Sequence, residues 1–202
     1  MSSLEFTNED FLRMYHASWG DLVQAYLEEE QVLIERLYRQ RPELKKSGMI
    51  EVGGGSGGNI ERMEKMGCLH VVVDPFPKAG LSAICVRRDF EHLSLDLLPP
   101  GPKVYFFHFN VAAYVRNLPD HLSRLIQAND TVFFSQWRDT DKIRKTYADY
   151  FHFFTQGRFM GSLDPFSEMV LNQKRWPCLH RVQQGKLCEL WGVMDGAFNF
   201  MS

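Results

Sequence analysis

Apolar residues along this chain follow two rhythms. Phe11, Met14 and Tyr15 form a helical stripe with Trp19 one turn further on. Thr7 suits the N-cap, with Asp10 three residues later in a capping-box position. Gly20 and Asp21 interrupt that stripe. A longer helix then carries Leu22, Tyr26, Val32, Leu33 and Leu37, and it must end near Gln40 because Pro42 follows. The next apolar runs are short, as buried strands are: Met49-Ile50 with Val52, His70 to Val73, Ala83 to Val86, Lys103 to Asn110, and Asp130 to Trp137. Ile60, Met63 and Met66 recur at helical spacing between the first two strands. Helices are also predicted over Val111 to Gln127 and over Thr140 to Phe154. The latter carries Ile143, Tyr147, Tyr150, Phe151 and Phe154 on one face. Pro99-Pro100-Gly101-Pro102 is a loop, and Arg158 to Asn172 is irregular. Leu179 to Val182 and Leu187 to Val193 flank Gln183-Gln184-Gly185-Lys186, which reads as a hairpin.

The chemistry concentrates at the end of the first strand. Glu51 interrupts the apolar run, and five of the six residues from Gly53 to Gly58 are glycine. A strand, a glycine turn and a helix in that order present backbone N–H groups that a ligand can approach. The second strand ends on Asp74. An acid at that tip, about 20 residues past the first glycine, suits the two hydroxyls of a ribose. These features point to a nucleoside cofactor, and the glycines alone leave two families of it open. Gly53, Gly55 and Gly58 satisfy the dinucleotide pattern GxGxxG. Glu51, Gly53, Gly55 and Gly57 satisfy acidic-x-Gly-x-Gly-x-Gly. A carboxylate beside a pyrophosphate would repel it, which favours the second pattern.

On those residues the stretch from Met49 to Trp137 resembles a class I (Rossmann-like) S-adenosylmethionine-dependent methyltransferase. The resemblance implies a three-layer α/β fold with a mostly parallel seven-stranded sheet, a C-terminal antiparallel hairpin and N-terminal lid helices. It divides a single domain, 1–202, into a helical lid over 1–46 and a Rossmann-like core over 47–202. It implies that Glu51 helps hold the methionine end of S-adenosylmethionine, above the glycines, and that Asp74, followed by Pro75 and Phe76, takes the ribose and adenine. Asp89 is then placed to accept from the adenine amine and Phe90 to pack on the ring, with Asn110 facing the methyl donor. Tyr15, His16 and Trp19 on the lid, and Trp137 at the end of the fifth strand, are candidates for the acceptor pocket. Tyr15, Trp19 and Trp137 serve equally well as core. Asn-x-x-x-Tyr at Asn110 and Tyr114 departs from the Asn-Pro-Pro-Tyr of nucleic-acid amino-methylating enzymes, so a small-molecule acceptor is implied.

Composition narrows the field further. The hydrophobic fraction of 45% and charged fraction of 24% belong to an ordinary globular domain. The net charge of −2 offers no basic block to track a phosphate backbone. No signal peptide is read in MSSLEFTNED and no run of about 18 apolar residues exists, so a cytoplasmic protein off the membrane is expected. A homodimer is left open. Cys68, Cys85, Cys178 and Cys188 read as buried free thiols; Cys178, His180 and Cys188 match no zinc spacing, and no metal is expected.

Methyl transfer to oxygen or nitrogen is an in-line displacement governed mostly by alignment. Where a proton must leave, His108 and Tyr114 are the candidate bases near the strand tips, and His16 is a further one. His108 within FFHF is equally readable as a core residue. Two rival readings stand beside this one. A catalytically silent protein could keep the fold and the cofactor. A small NAD(P)-dependent reductase would need a set such as Tyr-x-x-x-Lys, which does not occur.

Overall fold

The computed structural model describes residues 21–55, 57–77, 79–109, 111–115, 117–145 and 179–193. Seven strands form one sheet: β1 (Gly48–Val52), β2 (His70–Val73), β3 (Ile84–Val86), β4 (Lys103–Phe107), β5 (Thr131–Trp137), β6 (His180–Gln184) and β7 (Cys188–Val193). Their order is β3-β2-β1-β4-β5-β7-β6. The first five pair in parallel, and β7 runs antiparallel to both β5 and β6. The mostly parallel sheet and its closing antiparallel hairpin are therefore as the methyltransferase resemblance implies.

Strand β4 is buried along its whole length, and β1 and β5 are buried beyond their first residue. Burial on both faces explains their near-continuous apolar runs. It also means that Glu51, Ser135 and Gln136 are buried polar groups, which must find partners to offset their lost hydration.

One sheet face carries Met49, Val104, Phe106, Phe133 and Trp137. It packs against α1 (Asp21–Gln40) and against Met63 of α2 (Ile60–Lys65). The opposite face carries Ile50, Val52, Tyr105, Phe107 and Phe134, covered by Leu118, Leu122 and Leu125 of α3 (Leu118–Leu125). The buried stripe of α1 is Val23, Tyr26, Leu33, Ile34 and Leu37, at the three- and four-residue spacing of a helix laid on a core. Residues 21–40 of the expected lid segment are thus one layer of the sandwich. On the same helix, Glu29 accepts from the amides of Lys186 at 2.6 Å, Leu187 at 2.6 Å and Cys188 at 2.8 Å. That carboxylate fastens the β6–β7 turn to α1.

Two elements depart from the sequence pattern. Strand β4 stops at Phe107 instead of continuing to Asn110. Phe109 takes a φ of 43°, a left-handed value that turns the chain off the sheet and that bulky residues adopt only when held there. Likewise, no single helix spans 111–127. A 3-10 turn at Val111–Tyr114 and α3 flank Asn117, whose φ is 47°. Asparagine is one of the few residues that tolerate that region. His108 therefore lies beyond the end of the strand, and Asn110 lies outside the described residues. The helix expected over 140–154 is described only across 141–145.

Candidate active site

The glycine turn leaves β1 at Val52 with Gly53 at φ 79°, and Gly57 at φ 76° precedes α2. Three of the glycines are demanded by the protein's own packing. A Cβ on Gly53 would lie 2.4 Å from a Val111 methyl, one on Gly54 2.2 Å from Glu51 Cδ, and one on Gly57 2.5 Å from Leu81. Gly55 has a different task. Its N–H donates to Asp74 Oδ2 at 3.1 Å across the gap between the β1 and β2 tips, while Asp74 Oδ1 accepts from the Phe76 amide at 2.7 Å. Pro75 and Phe76 are half-buried beside that carboxylate.

Beneath the turn, on the α1 face, lies a chain of buried polar side chains. Glu51 is 1% exposed. Its Oε2 meets His70 Nε2 at 2.5 Å, and its Oε1 takes Asn59 Nδ2 at 2.9 Å and His108 Nε2 at 3.2 Å. On its other side, His108 Nδ1 meets Glu30 Oε2 at 3.0 Å. Glu30 Oε1 accepts from the Phe109 amide at 2.8 Å and from the Ser135 hydroxyl, and Ser135 is in turn 2.8 Å from the Tyr26 hydroxyl.

A carboxylate oxygen lies at each ring nitrogen of His108, an arrangement that favours the form donating from both. Burial by itself would lower the His108 pKa, but the Glu51 and Glu30 charges outweigh it and hold it above the ordinary imidazole value. Burial by itself would raise Glu51, and the charge of His108 with the hydrogen bond from His70 holds it below the usual carboxylate range. His70 Nδ1 and Asn59 Oδ1 are buried without a partner.

This geometry corrects the reading of His108 as a general base. At 4% exposure and engaged on both nitrogens, it is held between two acids inside the protein. Phe90 also sits differently from an adenine-stacking residue. It is buried edge-on against Phe107 at 4.9 Å, in the core on the α3 face. Asp89 is exposed, with His92 Nδ1 at 3.5 Å. Trp137 is core as well, tilted on Tyr26 at 4.2 Å, and its indole N–H is buried without an acceptor. Tyr15, His16 and Trp19 lie outside the described residues, as does the side chain of Tyr114.

Glu30, Asn59, His70 and Ser135 were not singled out from the sequence. Glu30 carried a usable signal. It falls four residues after Tyr26 and three before Leu33, on the apolar stripe of α1, where a solvated acid does not belong. Cys68, Cys85 and Cys188 are free thiols, and Cys178 lies outside the described residues. No helix among the described residues is long and apolar enough to cross a membrane.

No family model matches the sequence, and no curated protein matches it. Solved structures do. Magnesium protoporphyrin IX methyltransferase (ChlM) from Synechocystis, solved with SAH bound, has a TM-score of 0.51 at 12% identity, covering 91% of this chain and 91% of that one. A SAM-dependent methyltransferase from Aquifex aeolicus gives 0.48 at 14% identity over 78% of this chain and 87% of the other. The N-methyltransferase NodS from Bradyrhizobium japonicum gives 0.46 at 15% identity over 83% and 95%. The first of these, with the strand order, places this chain in the fold class of the Rossmann-like methyltransferases.

Proposed function

We propose that this chain binds S-adenosylmethionine at the carboxyl edge of β1 and β2 and transfers its methyl group to an oxygen or nitrogen of a small molecule. One observation carries the reading: Asp74 at the β2 tip hydrogen-bonds Gly55 of the turn leaving β1. That bond holds the glycine turn to a carboxylate at the switch point of a parallel sheet, where such folds bind ligands. Two acceptor oxygens there fit a ribose diol, so the described residues suit the cofactor.

In this reading Asp74 accepts from the ribose hydroxyls, with Pro75 and Phe76 flanking the adenosine and the exposed Asp89 accepting from the adenine amine. Gly53, Gly55 and Gly57 shape the turn. Glu51 acts from beneath it, reaching the methionine end through its Asn59 and His108 contacts. The cofactor supplies an electrophilic methyl on a good leaving group, so the chain's residues need only align the acceptor and exclude water. Asn110, Tyr114, Tyr15, His16 and Trp19 are retained as candidates for that task. Net charge −2 without a basic block supports a small-molecule acceptor over nucleic acid, and free thiols suit the cytoplasm.

A second reading, a silent cofactor-binding protein, is favoured by one observation. Glu51 and His108 are engaged internally, which removes the one described candidate for a general base. Calorimetry with S-adenosylmethionine, S-adenosylhomocysteine and NADH tests the cofactor, and binding of NADH alone would overturn the reading. Incubation with labelled donor and a metabolite extract separates the two readings: binding without transfer to any acceptor supports the silent protein.

A further inference from the structure

We propose that Glu30 is a positioning residue of this site, acting through His108 and the Phe109 amide to set where the β4-tip turn meets the glycine turn. The inference rests on the cofactor reading for its functional consequence, and on geometry alone for its structural one.

Glu30 is 2% exposed on the apolar stripe of α1. An aliphatic residue would pack there without the desolvation penalty of a carboxylate, so what explains the acid is what it holds. Its two oxygens act on successive residues. Oε2 pairs with the His108 ring and Oε1 takes the Phe109 amide, which Ser135 Oγ also accepts at 2.9 Å. Two acceptors on one N–H stabilise the left-handed φ of 43° at Phe109, a conformation that the local sequence does not favour. The turn so formed closes with the Val111 amide donating to the His108 carbonyl at 2.7 Å. Val111 is then placed against Gly53, so closely that a Cβ there would lie 2.4 Å from its methyl. From its other ring nitrogen, His108 reaches Glu51, which lies under Gly54. Two routes from helix α1 to the glycine turn thus pass through Glu30, beside the direct bond of Gln31 Nε2 to the Gly58 carbonyl at 3.2 Å.

The test uses the full chain with Glu30→Gln, Ser135→Ala as a milder second variant, and Glu29→Gln as a control on the same helix. Amide hydrogen exchange is read in the apo protein at Gly53, Gly55 and Gly57 and, separately, at Cys188 and Leu190. Glu30→Gln should speed exchange in the glycine turn about tenfold, the equivalent of one charge-assisted hydrogen bond, and leave the hairpin unchanged. Ser135→Ala should give the same pattern to a smaller extent, and Glu29→Gln the reverse. S-adenosylhomocysteine affinity should fall about tenfold in Glu30→Gln and stay unchanged in Glu29→Gln. Unchanged exchange in the glycine turn, or an equal rise throughout the protein, overturns the inference. Wild-type protein that fails to bind S-adenosylhomocysteine would sink the proposed function, and the exchange pattern would still decide the role of Glu30.

Discussion

Glu30 and His108, 78 positions apart in the chain, meet at 3.0 Å beneath the carboxyl edge of the sheet. The contact joins a helix laid on one sheet face to the tip of a central strand. His108 carries the link on to Glu51, so three elements converge on one buried cation. Isolated charges at this depth would be costly to desolvate, and the arrangement is tolerable because each is hydrogen-bonded to its neighbour.

That array gives the protein a two-sided pH response. His108 has a folded pKa above its unfolded value, so its contribution is complete below the unfolded imidazole pKa and is lost as pH rises through the folded one. Glu51 has a folded pKa below its unfolded value, so its contribution is present above the unfolded carboxylate pKa and is lost as pH falls through the folded one. Thermal unfolding between pH 4 and 9 should therefore show decline on both sides of mildly acidic pH. His108→Gln, which leaves Glu30 and Glu51 without the cation between them, should instead gain stability as the pH is lowered toward the carboxylate range. A pH profile shared by wild type and variant would show that the imidazolium is not what balances the two acids.

Asp74 should matter to the turn even before any ligand arrives. Asp74→Ala removes the acceptor for two backbone amides, Gly55 and Phe76. The half-buried Phe76 amide can turn to water while the buried Gly55 amide loses its acceptor, so a loss of about 1–3 kcal/mol in stability is expected. The fold should survive, because the parallel ladder of β1 and β2 is untouched. S-adenosylhomocysteine affinity should drop at least about tenfold. Calorimetry beside urea unfolding reads both, and an unchanged affinity would place the ribose elsewhere.

The strands were legible from sequence because burial on both faces leaves an apolar run that needs no knowledge of neighbours. The glycine turn and the acid at Asp74 were legible because each is a local pattern at fixed spacing. The hairpin was legible from its turn residues. The buried polar chain was not, since it depends on which side chains meet across the sheet. Glu30 stands last in a run of three glutamates, and its place on the apolar stripe of α1 is the one signal in that chain, yet it does not say what the carboxylate meets. His70 begins a strand and looks like its polar boundary. The end of β4 was misread because FFHF continues the strand pattern, and the force that stops it, a pair of acceptors on the Phe109 amide, comes from α1 and β5.

The clamp between α1 and the hairpin should be measurable as a coupled pair. Glu29 receives three amides, and a Cβ on Gly185 would lie 2.3 Å from its Cδ. Glu29 cannot swing aside without releasing those amides. Glu29→Ala and Gly185→Ala should each lose about 1–3 kcal/mol in urea unfolding, and the double variant less than their sum, because Glu29→Ala vacates the space that the new methyl needs. Strict additivity would mean that the carboxylate does not press on the turn.

Gly53 and Val111 offer the sharpest test of how the glycine turn is seated. Gly53→Ala suffers two separable penalties. The φ of 79° disfavours any Cβ by about 1–2 kcal/mol, and the overlap with the Val111 methyls adds overpacking of about 1–3 kcal/mol. Val111→Ala removes most of the second penalty, keeping only its own Cβ at 3.1 Å, and leaves the first. In the double variant, the Gly53→Ala change should therefore cost little more than the backbone strain, a coupling of about 1–2 kcal/mol in a double-mutant cycle. The same cycle followed by S-adenosylhomocysteine affinity asks whether the seating of the turn reaches the ligand. If Val111 sets that seating, the affinity lost in Gly53→Ala should partly return with Val111→Ala. A stability coupling near zero would show that the β4-tip turn does not bear on Gly53. Coupling in stability but none in affinity would confine the contact to packing.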